Sequence, residues 1–247
     1  DDMCAMQERV ASLVKQGKLG DIIIATQHKP TISFGSSKQG NAFSSEFLDE
    51  LKRENEDYDE NDVIRKLKEA GIDFSREERG GGATAFSPGQ LVYYPIVNHS
   101  KITGKRLDVA EYKKRIYQIM FGTLDSLGIN GLKIGSDSSY STRNERRDIW
   151  LQSNGRSLKM GSKGIIMKEG VAYHGFKFFI DKQSTSLFKY IMPCGYAPDE
   201  VTVTSIEEVL NKRIKHQTVH EKVKDQLKKH FRYSCIFDLP YNGLVRE

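Results

Sequence analysis

The chain has 247 residues, 38% hydrophobic and 29% charged, which suits one large domain with a highly charged surface. Its net charge of +5 is mild and spread along the chain, which argues against a nucleic-acid binder because such proteins concentrate positive charge in one patch. No apolar run reaches the roughly 18 residues that a membrane span needs.

The first half of the chain predicts helices and strands in alternation. Apolar spacing predicts helices at 3–18, 44–55 and 61–70, and strands at 21–26, 31–34 and 72–75. Arg79 is then followed by three glycines, Gly80, Gly81 and Gly82, ahead of a buried strand at 91–97. Because glycine lets another molecule approach the main chain closely, this glycine loop is either a ligand-binding loop or a turn between two strands.

The second half predicts a strand-rich region between two helices. A polar loop is expected at 98–104, amphipathic helices at 108–127 and 216–231, and a mobile surface loop at 135–147. Strands are predicted at 148–152, 158–160, 164–167 and 171–180, with hairpin turns at 153–155 and 168–170. An apolar segment at 187–192, a turn at 193–195 and a segment at 202–205 leading into a helix complete the pattern.

Three cysteines, Cys4, Cys194 and Cys235, are an odd number without metal-ligand spacing. They predict free thiols in a reducing compartment, either the cytoplasm or an organelle such as the mitochondrion, and no metal site. Cys4 lies in a predicted helix and Cys235 in an apolar segment, so both are interpreted as packing residues.

Cys194 differs because it lies between Pro193 and Gly195 in a predicted turn, where a thiol can be exposed. A free thiol has a pKa of about 8.5, so a nucleophilic Cys194 needs a neighbouring group that favours the thiolate. Three upstream residues qualify: Lys159, Lys163 and His174. The two lysines share a strand face if their segment is one strand. The alternatives are a core cysteine, solvent-facing lysines and a structural histidine.

Three motifs in this order resemble the octanoyltransferases of lipoate biosynthesis. The first runs from Arg79-Gly80-Gly81 through Thr84 to Pro88-Gly89-Gln90-Leu91-Val92. The second is Lys159-Met160-Gly161-Ser162-Lys163-Gly164-Ile165, followed by His174-Gly175-Phe176. The third is Pro193-Cys194-Gly195, followed by Val203-Thr204-Ser205. The resemblance extends to about residue 210.

The resemblance implies an α/β (α+β) fold of the lipoate and biotin protein ligase type, with mixed sheets flanked by helices. The catalytic domain would span 1–210, and 211–247 would be a helical extension on the same domain. Cys194 would accept an octanoyl group from acyl carrier protein as a thioester, and Lys159 would lower the pKa of the thiol and shuttle the proton. The acceptor would be a lysine of a lipoyl domain, from a 2-oxoacid dehydrogenase or the glycine cleavage H protein.

The resemblance also implies the binding residues, with no cofactor, no metal, no nucleic acid and no membrane. The octanoyl tail would lie among three short stretches, with His174 in a supporting role. These are Arg79, Gly80, Gly81, Gly82, Ala83, Thr84, Ala85 and Phe86; Ser162, Lys163 and Gly164; and Gly175, Phe176 and Lys177.

The chain departs from the resembled pattern at four of these positions or their neighbours. The family usually has histidine at Phe86, an apolar residue at Lys163, alanine at Lys177 and asparagine at Phe179. These departures bear on acyl specificity and on activity, and Phe86 is a candidate wall of the acyl channel.

Two rival functions stay open on the sequence alone. The glycine loop also resembles that of ATP-dependent lipoate-protein ligases, which need ATP and no cysteine nucleophile. A catalytically silent relative that binds a lipoyl domain or an acyl carrier is the second rival, and the four departures favour it.

Overall fold

Two β-sheets and seven α-helices make up the part of the chain that a computed structural model describes, residues 2–36, 42–79, 82–103, 108–130, 132–134, 149–153, 156–192 and 201–238. The helices are α1 (Asp2–Lys15), α2 (Ser45–Glu54), α3 (Glu60–Glu69), α4 (His99–Thr103), α5 (Val109–Ser126), α6 (Ile206–Leu210) and α7 (His216–Phe231). A 3-10 helix spans Lys182–Tyr190. The strands are β1 (Ile22–Thr26), β2 (Thr31–Phe34), β3 (Asp73–Arg76), β4 (Ala83–Phe86), β5 (Gln90–Asn98), β6 (Leu132–Ile134), β7 (Ile149–Ser153), β8 (Arg156–Lys168), β9 (Val171–Phe179) and β10 (Val201–Val203).

The main sheet has the strand order β1-β5-β9-β8-β7-β6, with β10 added beside β8. Strand β8 changes partner along its length: its C-terminal part pairs with β9, and its first residues pair in parallel with β10. Lys159, paired with Val203, lies just before Gly161, where the pairing with β9 ends. We call this point of β8 the strand seam.

One face of the main sheet is covered by α5 and α7, and we call it the helix face. Helix α7 turns Val219, Val223, Leu227 and Phe231 toward the core at intervals of four residues, which places them on one side of the helix. They pack with Phe176 and Phe178 of β9 in the largest described core cluster. The C-terminal helix is therefore built into the same core as the main sheet.

The opposite face, which we call the inner face, meets a small sheet of order β3-β2-β4. Ile32 of β2 and Ala85 of β4 share a core cluster with Phe179 of β9, and Val203 of β10 packs against the same cluster. Helices α2 and α3 close this cluster from outside through Phe47, Leu51, Val63 and Leu67. Lys177 of β9 and the loop strand β4 lie at this junction between the two sheets.

Most predicted elements are found within a few residues of their expected bounds, and two predictions need correction. The strands predicted at 158–160 and 164–167 form one continuous strand, β8. The polar loop predicted at 98–104 contains a short helix, α4. The hairpin turn at 168–170 is confirmed, with positive φ at Glu169 and Gly170.

The surface loop predicted at 135–147 lies outside the described residues. Across the described ranges, no helix combines the length and apolar character that crossing a membrane requires.

Candidate active site

Lys159 lies at the strand seam with only 2% of its surface exposed. Its partner Val203 packs against the core cluster of the inner face, so Lys159 points toward that same face. The Thr204 amide donates a hydrogen bond of 2.9 Å to the Lys159 carbonyl and fixes the backbone there. A buried lysine is costly unless its ammonium is compensated, and burial makes a lysine pKa easy to shift.

A β-bulge next to Lys159 changes which side chains share a face. Trp150 pairs with Lys159 and its neighbour Ile149 pairs with Gly161, so Met160 is an extra residue on β8. The conditional prediction that Lys159 and Lys163 share a face in a single strand is therefore wrong. The Lys163 Nζ lies 4.6 Å from the ring centroid of Tyr117 on α5, on the helix face. The structure does not bring Lys163 to the side of Lys159.

Arg79 is buried at the start of the glycine loop and binds main-chain atoms. Its guanidinium donates to the Ser33 carbonyl at 2.7 Å and to the Gly82 carbonyl at 3.0 Å. It also pairs with Glu77 at 3.4 Å, and burial lowers its pKa. Arg79 thus joins the end of the loop to strand β2. Gly80 and Gly81 lie outside the described residues.

Strand β4 carries the second part of the loop motif, Ala83, Thr84, Ala85 and Phe86, antiparallel to β2. Ala85 is fully buried, and its carbonyl accepts hydrogen bonds from Gln90 Nε2 at 3.1 Å and from Lys177 Nζ at 2.5 Å. The loop strand is therefore held by side chains from two strands of the main sheet.

Lys177 is the second buried lysine of the inner face, with 3% of its surface exposed. Its Nζ lies 4.0 Å from the ring centroid of Phe86 and 5.8 Å from that of Phe179. Ser162 is its cross-strand partner on β8, and the Ser162 Oγ is buried without a hydrogen-bond partner among the described residues. The structure thus brings together Lys177, Ser162 and Phe86.

His174, Gly175 and Phe176 lie on β9 but do not all reach the same place. Gly164 pairs with Gly175, and Phe176 stacks on Tyr93 at 5.3 Å within the core of the helix face. His174 has a positive φ of 54° and lines a cavity of about 220 Å³. The other lining residues are Cys4, Glu8, Arg76, Glu77, Glu78 and Ile166. Burial lowers the pKa of His174, which favours the neutral imidazole.

His28 is a neighbour of the site that is not among the predicted site residues. Its ring lies 4.8 Å from that of Phe86, and its Nε2 is 2.8 Å from the Tyr94 hydroxyl. Burial, followed by the positive charge of Lys177, lowers the pKa of His28 to about 4. His28 is therefore neutral at physiological pH. Its position in a Lys-Pro turn gave no signal of these contacts.

The three cysteines have different outcomes. Cys4 on α1 is half-buried, and burial raises its pKa, so it stays a thiol. Cys235 is exposed, which makes the prediction of a packing role wrong for that residue. Cys194 lies outside the described residues, so its predicted proximity to Lys159 stays a prediction. The described chain resumes beyond it with β10, which pairs at the strand seam.

Comparison with known proteins gives consistent family matches. The lipoyl protein ligase A/B catalytic domain family matches residues 2–231. An octanoyltransferase of Desulfotalea psychrophila is 31% identical over 203 residues, covering 82% of this chain and 76% of that protein. One of Alkaliphilus metalliredigens is 28% identical over 237 residues, covering 94% and 91%. A crystal structure of lipoate-protein ligase A bound with ATP has a TM-score of 0.67 at 12% identity, covering 99% and 87%, and shares the fold.

Proposed function

This chain belongs to the lipoyl protein ligase A/B catalytic domain family, and we propose that it transfers octanoyl groups from acyl carrier protein to lysines of lipoyl domains. The names of its octanoyltransferase relatives support the reaction type. The family match, which extends through α7, supports a lipoyl-bearing protein as acceptor. The acyl donor, acyl carrier protein, and the nucleophile, Cys194, follow from the resemblance of the sequence motifs.

The observation that carries the proposal is the burial of Lys159 at the strand seam. A lysine buried at a fixed position is a candidate for proton transfer, because its amine can exchange a proton with a neighbouring thiol. Its main chain is fixed on one side by Trp150 of β7 and on the other by β10. Such rigid support suits a proton shuttle, since proton transfer depends on a fixed distance between donor and acceptor.

In the first half-reaction, the Cys194 thiol gives its proton to Lys159 and the sulfur attacks the carbonyl carbon of the octanoyl thioester. The bond between that carbon and the carrier sulfur breaks, and the carrier thiolate takes the proton back from Lys159. The products are an octanoyl thioester on Cys194 and a free carrier thiol. The thioester donor is already activated, so this route consumes no ATP.

In the second half-reaction, a lysine amine of the lipoyl domain attacks the Cys194 thioester. The carbon–sulfur bond breaks, an amide forms, and the proton lost by the amine passes through Lys159 to the Cys194 sulfur. The enzyme returns to its starting state. The buried polar groups of the inner face, including Ser162, are candidates to face the acyl carbonyl oxygen.

Intact-mass measurement after incubation with octanoyl-acyl carrier protein tests this function. The protein should gain one octanoyl group and lose it when a lipoyl domain is added, which should gain the same mass. Cys194→Ala should gain nothing, whereas Cys4→Ser and Cys235→Ser serve as matched controls and should behave as the parent protein. An adduct that survives in Cys194→Ala would contradict the proposed nucleophile.

The rival functions give different results in the same assay. An ATP-dependent ligase would modify the lipoyl domain only when ATP and a free acid, such as lipoate or octanoate, are supplied. A catalytically silent relative would form no adduct and would bind the lipoyl domain without modifying it. Either result would contradict the proposed transferase.

A further inference from the structure

Lys177 is a buried cation held by a carbonyl and aromatic rings. Its Nζ donates to the Ala85 carbonyl at 2.5 Å and lies 4.0 Å from the Phe86 ring centroid. The rings of Phe179 and Phe188 follow at 5.8 and 6.0 Å. An ammonium over several aromatic faces keeps its charge in a desolvated place, because the ring faces carry negative potential.

Lys177 and Lys159 share the inner face of the main sheet. Phe179, two residues beyond Lys177 on β9, belongs to the same core cluster that Val203 contacts, and Val203 is the partner of Lys159. Ser162, opposite Lys177, is three residues beyond Lys159 on the far side of the bulge. The two buried lysines therefore lie on the same face of the main sheet, on the adjacent strands β8 and β9.

Lys177 also joins the two sheets at the glycine loop. Ala85 belongs to β4, the strand that leaves the loop, and its carbonyl is the acceptor for the Lys177 ammonium. Phe86, next along the same strand, is the ring beneath that ammonium. Three of the four departures described above, at Phe86, Lys177 and Phe179, are therefore grouped around the Lys177 ammonium.

We propose that Lys177 is a positioning residue of the acyl site, which holds the loop strand β4 against the main sheet and gives the inner face a fixed positive charge beside Lys159. The inference rests on the proposed octanoyl transfer. The rings of Phe86 and Phe179 lie around this ammonium.

The charge of Lys177 has an independent reporter in His28, whose ring contacts Phe86. The charged groups that act on His28 are Lys177, Glu77 and the N-terminal amine, after burial. Replacing Lys177 with a neutral residue removes a cause of the low His28 pKa. That pKa, followed by NMR of the imidazole protons, should then rise.

The test measures the rate of Cys194 acylation by octanoyl-acyl carrier protein, together with the melting temperature, in four variants, one of which is Lys177→Ala alone as the reference for the double variant. Lys177→Met removes the charge and keeps a chain of similar length. Lys177→Ala combined with Phe86→His moves the polar group to the loop strand. Lys189→Met is the matched control, because the Lys189 Nζ lies 5.0 Å from the Tyr190 ring but the residue is exposed.

We expect acylation to slow by about 10- to 100-fold in Lys177→Met, because a small displacement of a catalytic loop can cost about 100-fold. Its melting temperature should stay the same or rise, since an apolar residue often replaces a buried charge without loss. The double variant should acylate at least about tenfold faster than Lys177→Ala alone. Lys189→Met should match the parent protein.

The inference is overturned if Lys177→Met acylates at the parental rate, or if its rate falls only as its melting temperature falls. It is also overturned if the double variant is no faster than Lys177→Ala and the His28 pKa does not change in Lys177→Met. A parent protein that forms no adduct would overturn the proposed function, and this inference with it. If the parent protein forms the adduct, the proposed function stands and the variants test the role of Lys177 alone.

Discussion

Gly175→Ala should be among the most damaging single-methyl additions in this protein. Gly175 lies in β9, between β5 and β8 in the main sheet, and a Cβ built there would be 2.0 Å from the Tyr93 carbonyl oxygen and 2.7 Å from Pro95 Cδ. Carbon and oxygen atoms that are not bonded stay more than 3 Å apart, as dispersion contacts near 3.5–4.0 Å indicate. Strands β5 and β9 would therefore have to separate by more than an ångström, roughly, at their closest point.

The cost can be worked from that displacement. Overpacking of a close-packed interior costs about 1–3 kcal/mol, and each ladder hydrogen bond that is lost adds about 1 kcal/mol. We therefore expect Gly175→Ala to lower the free energy of unfolding by about 3–5 kcal/mol. At about 2–4 °C for each kcal/mol in a domain of this size, the melting temperature should fall by roughly 6–20 °C.

Calorimetry and urea unfolding measure both quantities, and two other glycines provide controls. Gly20→Ala meets nothing within 4 Å and should unfold like the parent protein. Gly122→Ala would meet the Gln226 Oε1 at 2.2 Å, but that atom belongs to a side chain that can rotate away, so the loss should stay near 1 kcal/mol, roughly. A Gly175→Ala protein within about 0.5 kcal/mol of the parent would refute the close approach of β5 and β9.

Lys159→Met should abolish octanoyl transfer, read by lipoyl-domain mass, while the melting temperature stays equal or rises because a buried polar group is replaced by an apolar chain; a variant that keeps the parental rate would rule out the proton shuttle. The His28 pKa of about 4 lies below its ordinary 6.5, so the unfolded chain takes up a proton first and stability is lost as the pH falls from about 6.5 to 4. His28→Gln should reduce that acid loss by up to roughly 3 kcal/mol in urea unfolding at pH 7 and pH 4, and an unchanged difference would contradict the shift. Leu227→Ala, at a residue 1% exposed in the main core, should cost about 2–5 kcal/mol and keep one calorimetric transition; a separate transition for α7 would show that the helix is not part of that core.

The local patterns of this sequence were sufficient for the helices other than α4 and for most strand positions. The last helix begins and ends where its apolar spacing predicted, at His216 and Phe231. The strand prediction left 161–163 out of β8, a gap that begins with Gly161. Gly161 is instead required because a Cβ there would lie 2.6 Å from the Lys177 carbonyl oxygen. Glycine occurs both where two strands approach closely and where a strand is interrupted, so the sequence alone does not distinguish the two cases.

The site was predicted in part, and the remainder depends on pairing that no local pattern encodes. The resemblance supplied Lys159 and the loop motif, and Lys159 is buried on the inner face. The bulge at Met160 separates Lys163 from Lys159, and a bulge leaves no sequence signal here. The contact between Lys177 and Phe86 joins residues 91 positions apart on two different sheets. The domain boundary at residue 210 stays a prediction.

The strand seam has a consequence for observing the enzyme at work. The Thr204 amide proton is held by the Lys159 carbonyl at 2.9 Å, so its replacement by deuterium requires β10 to detach from β8. The exchange rate of that single proton therefore reports how often the backbone beside Lys159, the proposed proton shuttle, opens. Comparing its deuteration rate in free and octanoylated protein would show whether acylation changes how often β10 detaches from β8.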